Sequence, residues 1–244
     1  MPGLLLGDVF PNFHAETTDG SIQFHDFLGD SWCVLFSHPG DFTPVCTTEL
    51  GRAARLCAEF TKRGVKMVAL SVDSLEDHHD WSKDILAYCS MESERSSLPY
   101  PVIADQKREL ALALGMMDPD EKDKDGLPLT ARCVRTSGLY PVTLQPCSQL
   151  PSAVFIIGPD KRLKLSLLYP ASTGRNFDEI LRVVDSLQLT ATKRVATPAD
   201  WQPGDSVMVP PSMSEAEASV LFPAGVFTKE VPSKRKYLRY TPQP

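Results

Sequence analysis

The chain has no C-x-x-C pair and no Cys/His cluster at zinc-ligand spacing, which excludes a dithiol redox motif and the common structural zinc sites. From Ser148 to the C-terminus it has no cysteine at all. It lacks an excess of positive charge: Lys+Arg is 25 against Asp+Glu 31, a net charge of −6. There is therefore no electrostatic reason to expect nucleic-acid binding. No apolar run approaches the roughly 20 residues of a membrane span. The opening MPGLLLGDVFPNF has no basic n-region, and its apolar run is too short for a secretory h-region, so the expected compartment is the cytoplasm. Cys33, Cys46, Cys57, Cys89, Cys133 and Cys147 fall at irregular spacings, and in a reducing compartment such thiols are expected to be free.

Against those absences stand 244 residues, 42% of them hydrophobic, enough for one substantial core and a small second unit. Two β-prone runs between Phe13 and Phe24 flank Thr18-Asp19-Gly20, a hairpin signal. Trp32 to Phe36 and Val65 to Val72 are compact apolar runs, expected as buried strands. Between them Cys46, Leu50, Ala53, Cys57 and Phe60 recur at helical steps, with Gly64 as a stop. Ser74 is placed to cap a helix carrying Trp81 and Ile85. Pro101 to Ala104 predicts a short strand and Lys107 to Met116 a helix. Val154 to Ile157 and Leu163 to Leu168 read as a hairpin around Gly158-Pro159-Asp160-Lys161, and Asn176 to Leu187 as a strong helix. Strand and helix alternate, so the fold class is α/β with a central sheet. After Leu189 prolines punctuate the chain, leaving room for one short helix (Glu215 to Leu221) and a hairpin (Phe227 to Tyr240). That part is too small to bury much alone. The predicted organisation is a first domain over 4–188 and a small α+β domain over 189–244.

The stretch HPGDFTPVCTTEL (residues 38–50) sets a cysteine at the start of the predicted helix. A thiolate, not a thiol, is the nucleophile. A helix N-terminus favours the anion through its unpaired N–H groups and its dipole. Pro44 suits the first turn because its missing N–H is not needed there. Thr43 adds a hydroxyl, and Pro39 can fix the approach loop. On spacing alone, a reactive Cys46 and a buried apolar cysteine on the inner helix face remain equal readings.

The wider pattern separates them. Pro39-x-x-x-Thr43-x-x-Cys46 resembles the active-site signature of peroxiredoxins, and HPGDFTPVCTTELG is similar to the 1-Cys, peroxiredoxin-6-type branch. The resemblance extends through LLLGDVFPNF, FHDFLGDSW, TGRNFDEILRV, RVATPADWQPGDSVMV and KYLRYTPQP. It implies a thioredoxin-like fold, with a central mixed sheet flanked by helices, and a thiol peroxidase acting on hydrogen peroxide and on organic and phospholipid hydroperoxides. Cys46 would be the peroxidatic residue, oxidised to sulfenic acid. Thr43 would hydrogen-bond peroxide and thiolate, Pro39 would shield the site, and Arg132 would lower the thiol pKa and steady the transition state. His38 would line the pocket, or serve as a polar cap at a strand end. With no cysteine after Cys147, no C-terminal thiol can resolve the sulfenic acid. The resemblance then implies an external reductant, glutathione delivered by a glutathione transferase, with no bound cofactor or metal. Cys89 is the nearest to a spare redox thiol and reads as a surface or core thiol. A homodimer is implied. So are peripheral membrane contact through phospholipid substrates, and lysosomal delivery, for which no signal is legible. The alternative from another class is a non-catalytic thioredoxin-fold binding module.

Two further features complete the reading. Gly29-Asp30-Ser31-Trp32-Cys33 resembles the family's lipase-type motif GDSWG, with Cys33 for the second glycine. The resemblance implies a calcium-independent phospholipase A2 using Ser31, His25 and Asp160, since a serine needs a base and the base an orienting carboxylate. His25-x-x-x-x-Asp30 resembles the associated lysophospholipid acyltransferase motif. Read without the resemblance, Gly29-Asp30-Ser31 is simply a good turn. Residues 133–153, CVRTSGLYPVTLQPCSQLPSA, have no period of either kind and no counterpart in the resemblance. They are either a loop set at a strand edge or a segment that the native protein lacks.

Overall fold

The computed structural model describes residues 4–122, 128–130 and 152–244. Arg132 and residues 133–151, with Cys133 and Cys147, lie outside the described residues. Contacts divide the chain into two compact units, Met1–Phe177 and Asp178–Pro244. The sequence reading drew the boundary eleven residues later, at 188/189. The helix that spans this boundary is hydrogen-bonded to the segment beyond its own C-terminus: Arg182 Nη1 donates to the Trp201 carbonyl at 3.2 Å, and the Ser186 and Thr197 hydroxyls meet at 2.7 Å.

The first unit runs β1 (His14–Thr17), β2 (Gly20–Gln23), α1 (Phe24–Leu28), β3 (Trp32–Ser37), α2 (Pro44–Lys62), β4 (Val65–Ser71), α3 (Leu75–Tyr88), β5 (Val102–Ala104) and α4 (Glu109–Ala113). It continues with β6 (Met117–Lys122), β7 (Pro128–Thr130), β8 (Ser152–Ile157) and β9 (Leu163–Tyr169). Seven strands form one sheet in the order β2-β1-β5-β4-β3-β8-β9. The β3–β4 and β4–β5 pairs are parallel, and the β3–β8, β8–β9, β1–β2 and β1–β5 pairs antiparallel. The alternating pattern predicts a central sheet, and the family resemblance implies that it is mixed, as it is here. Central strands read as continuous apolar runs because both faces are covered; β3 is buried from Cys33 to Ser37 and β8 throughout. Helix α2 packs against α3 and β4, and α3 against β5. One core cluster holds Phe10, Phe24, Leu35, Val68, Ile103 and Phe155.

Local chemistry explains where these elements begin and end. Gly20, at φ 99°, closes the β1–β2 turn, whose carbonyl accepts from Thr17 Oγ1 at 2.6 Å. Ser74 caps α3 in a reciprocal capping box with Asp77. The expected helix over Lys107 to Met116 is shorter. Arg108 takes a left-handed φ of 59°, and the Asp105 carboxylate accepts from the Leu110 and Ala111 N–H groups, so the helix starts at Glu109. Helix α1 was not expected at all: Phe24 to Leu28 coils to bury Phe24 and Leu28 rather than merely ending a hairpin. The expected atypical segment ends at 153, but Ser152 and Ala153 are already strand, paired with Tyr169 and Leu168. The Ala153 N–H also donates to Ser37 Oγ at 3.0 Å.

The second unit holds the rest of α5 (Phe177–Thr192), then β10 (Val207–Met208), α6 (Glu215–Leu221), β11 (Phe227–Thr228) and β12 (Arg239–Thr241). Its three-stranded sheet runs β10-β12-β11. Trp201, Val207, Val209, Met213 and Phe222 form its core. No helix among the described residues is long and apolar enough to cross a membrane.

Candidate active site

Strand β3 ends at Ser37, and the N–H of the next residue, His38, donates to the Leu70 carbonyl of neighbouring β4 at 3.0 Å. The chain then turns through Pro39, Gly40, Asp41 and Phe42 into the helix. Phe42 has φ 54°, uncommon for a bulky residue. Thr43 is the N-cap of α2 in extended conformation, Pro44 occupies the first turn, and Cys46 comes within the same turn. Its exposure is only 2%. Burial raises the Cys46 pKa. The Thr43 hydroxyl, the Arg175 guanidinium and the Gly40 backbone pull it down, while the Glu49 carboxylate adds to the rise; the balance lies above the ordinary value. This differs from the expected low-pKa thiol. Desolvation outweighs the described partners, and the expected cation, Arg132, lies outside the described residues.

The Thr43 hydroxyl donates to the Gly40 carbonyl at 2.8 Å. One hydroxyl carries one proton, so its oxygen can accept from a Cys46 thiol while its proton stays on Gly40. Once Cys46 ionises, the same proton can turn to the sulfur. Pro39 is buried in the loop. His38 is fully buried. Its Nε2 meets Asp41 Oδ1 at 2.8 Å, and its Nδ1 has no partner. Burial holds its pKa below 6.5 against the pull of Asp41, so the ring is neutral with the proton on Nε2. Of its two expected roles, the polar cap at a strand end is the one its contacts describe.

The sequence reading missed four residues. Arg175, in the stretch TGRNFDEI, is buried against Glu49, one helical turn after Cys46. Arg175 Nη2 donates to Glu49 Oε2 at 2.6 Å, while its Nε and its backbone N–H donate to Oε1 at 2.9 and 2.6 Å. Its Nη1 reaches the Ser37 and Ala153 carbonyls at 2.7 and 3.0 Å. One guanidinium thus ties α2, β3 and β8 together around the cysteine. The i+3 step from Cys46 to Glu49 was legible; the partner 126 residues away was not. Asp41 and His78 are the other two. Among the described residues His38, Asp41 and Asp73 are close enough to hold a metal ion. Protein hydrogen bonds already link them: Asp41 takes His38 and His78, and Asp73 Oδ2 takes the Asp41 N–H and the Ser71 hydroxyl.

The second expected site is not assembled as a hydrogen-bonded triad. His25 Nε2 lies 2.8 Å from the Phe10 carbonyl, which can only accept, so that nitrogen carries its proton. Asp160 pairs with Lys164 at 2.5 Å and accepts from the Arg162 N–H at 3.2 Å, not from His25. Lys161 Nζ does donate to the Gly29 carbonyl, joining the Asp160 turn to the turn that carries Ser31. A Cβ at Gly158 would sit 2.6 Å from Lys164 Cε and 2.7 Å from Asp160 Oδ1, so a larger residue there would make those two side chains shift. Cys33 lies in the core at no exposure, with burial raising its pKa far beyond the thiol range. Cys89 caps the end of α3, buried, and its sulfur faces the Leu86 carbonyl: a core thiol, as expected.

Comparison with known proteins gives a consistent result. The AhpC/TSA family model matches residues 6–165, and the model for the C-terminal domain of 1-Cys peroxiredoxin matches residues 186–221. Peroxiredoxin-6 of Gallus gallus is 66% identical over 244 residues, covering all of both chains, and that of Homo sapiens 65% over 245. A cysteine-to-serine mutant of peroxiredoxin 6 from Arenicola marina superposes with TM-score 0.84 at 57% identity, covering 99% of each chain. A yeast mitochondrial 1-Cys peroxiredoxin, described for thiol resolution via glutathione/thioredoxin systems, matches at TM-score 0.78 and 40% identity, covering 98% of this chain and 99% of its own.

Proposed function

Because the chain belongs to the 1-Cys peroxiredoxins of the peroxiredoxin-6 type and is a peroxidase with the AhpC/TSA thioredoxin-like fold, we propose that Cys46 is its peroxidatic residue and that an external thiol, glutathione, completes the cycle. The observation that carries this is the placement of Cys46. It alone among the described cysteines sits at a helix N-terminus with a hydroxyl, a peptide N–H and a buried guanidinium acting on it.

Atoms and electrons balance over the cycle. The Cys46 thiolate attacks one peroxide oxygen, the O–O bond breaks, and the leaving oxygen takes a proton and departs as water or alcohol. The sulfur is oxidised to sulfenic acid by two electrons. One thiol condenses with the sulfenic acid and releases water; a second thiol displaces Cys46 and carries away the disulfide. The family's reach to phospholipid hydroperoxides, delivery of glutathione by a glutathione transferase, a homodimer, and work in cytoplasm and lysosome belong to this reading. Thr43 and Arg132 orient and stabilise the developing charge, with Pro39 excluding water. Stopped-flow oxidation by hydrogen peroxide tests it: Cys46→Ser should abolish fast peroxide consumption and the sulfenic adduct. Full activity in that variant refutes the assignment.

A second reading, phospholipase A2 with lysophospholipid acyltransferase activity through Ser31, His25 and Asp160, is favoured by the Lys161–Gly29 bond that makes the two turns neighbours. It requires His25 to leave the Phe10 carbonyl. Ser31→Ala should remove calcium-independent fatty-acid release and leave peroxide reduction intact; unchanged release refutes it.

A further inference from the structure

The loop that faces the Cys46 sulfur is fastened through Asp41, by both its carboxylate and its backbone N–H. Asp41 lies between Gly40 and Phe42, and its side chain is 2% exposed. Its Oδ1 accepts from His38 Nε2 at 2.8 Å, and its Oδ2 faces His78 Nδ1 at 2.5 Å. Its backbone N–H donates to Asp73 Oδ2 at 2.9 Å, and that oxygen is also held by the buried Ser71 hydroxyl. Three elements converge here: the end of β3 through His38, the end of β4 through Ser71 and Asp73, and the first turns of α3 through His78.

His78 Nδ1 donates to Asp41 Oδ2, since a carboxylate can only accept, giving a charge-assisted bond in a buried setting; His78 Nε2 lies 3.3 Å from the Ile103 carbonyl. His38 needs only its Nε2 proton. The titratable groups facing Asp41 are thus His38, His78 and Asp73.

Within two residues of this anchor lie Gly40 and Thr43, both of which act on the Cys46 sulfur, with Phe42 between Asp41 and Thr43. Gly40 supplies the backbone that faces Cys46 and the carbonyl that holds the Thr43 hydroxyl. Phe42 takes its left-handed conformation while 55% exposed, its ring centroid 6.3 Å from that of Trp81. An uncommon backbone state persists when its surroundings over-determine it, and the Asp41 bonds are what surround this one.

We propose that Asp41, held by His78, is a positioning residue for the peroxidase reaction: it fixes the Gly40 backbone and the Thr43 hydroxyl at the distance that stabilises the Cys46 thiolate. This rests on Cys46 being the peroxidatic thiol. Asp41 touches neither peroxide nor sulfur, so its effect travels through the loop, where small misplacements weigh heavily on rate.

The test uses the full-length chain, hydrogen peroxide, and two readouts: thiolate absorbance near 240 nm against pH, and the second-order rate of Cys46 oxidation. Asp41→Ala and His78→Leu should move the thiolate titration to higher pH and slow oxidation at neutral pH roughly ten- to hundredfold. Asp41→Asn keeps an acceptor and, with His38 able to change tautomer, should recover part of both. If Asp41→Ala does not fold, His78→Leu carries the test. A lower melting temperature with titration and rate within about twofold of the parent would mean that Asp41 only stabilises the fold, and would overturn the proposal. Cys46→Ser run alongside separates the two ideas. If it stays active, the peroxidatic assignment fails; if it is dead while Asp41→Ala and His78→Leu are normal, only the positioning role fails.

Discussion

Replacing Arg175 with Met should cost more than any surface change in this protein. Arg175 and Glu49 form a bidentate pair whose side chains are 0% and 2% exposed. Removing the guanidinium leaves the Glu49 carboxylate buried with, among the described residues, only the backbone N–H of residue 175 still donating. Breaking one side of a buried pair costs roughly 3–5 kcal/mol, because the remaining charge is uncompensated. The Ser37 and Ala153 carbonyls also lose a donor, at about 1 kcal/mol each. Together these come to roughly 5–7 kcal/mol, and for a chain of this size each kcal/mol shifts Tm by roughly 2–4 °C, so the single variant should melt about 10–28 °C lower. The double variant Glu49→Gln with Arg175→Met removes both charges and should regain much of that loss, giving a large coupling energy in the cycle. The same cycle has a chemical readout. Arg175 lowers and Glu49 raises the Cys46 pKa, so Arg175→Met should move the thiolate titration upward and the double variant should bring it back toward the parent. Denaturant unfolding and absorbance near 240 nm give both quantities. A single-variant cost below about 1 kcal/mol, or a double variant that costs the sum of its singles, would refute the claim that this pair organises the site.

Two further outcomes rest on contacts of the same kind. Burial keeps the His38 pKa below 6.5, while His38 and His78 hold the Asp41 carboxyl below its usual range against the opposing effect of burial. In both cases the unfolded chain binds the proton more readily, so stability is full above the unfolded values and falls as pH drops, first through the His38 window below 6.5 and then through the Asp41 window. Urea midpoints measured from pH 7 downward should decline, and His38→Gln should flatten the first part of that decline; a midpoint rising on acidification would contradict the sign. Cys33, buried and with its pKa pushed far up, should resist iodoacetamide in the native protein and react on unfolding. Peptide mapping checks this, and native labelling of Cys33 at the rate of half-buried Cys57 would refute it.

Much of this was legible from residues alone, and the reasons are local. Apolar runs gave β3, β4 and β8, because a strand covered on both faces must be apolar throughout. Helical spacing with Pro44 ahead of it gave α2 and put Cys46 in its first turn. Ser74 announced the N-cap of α3. The resemblance carried by HPGDFTPVCTTELG pointed to the family. What the sequence could not supply were pairings between distant residues whose chemistry is ordinary until burial makes it matter. Glu49 looks like any helical glutamate until Arg175 arrives 126 residues later. His78 looks like the exposed His79 beside it until α3 turns one ring inward to Asp41. The sign of the Cys46 shift belongs to the same class: the helix start, readable in sequence, favours the thiolate, but desolvation opposes it, and desolvation is a property of the packed fold. So the sequence by itself determined which cysteine stands at the helix start. The tertiary structure decided which buried charges hold the loop around it, because those are sums over neighbours that only folding brings together.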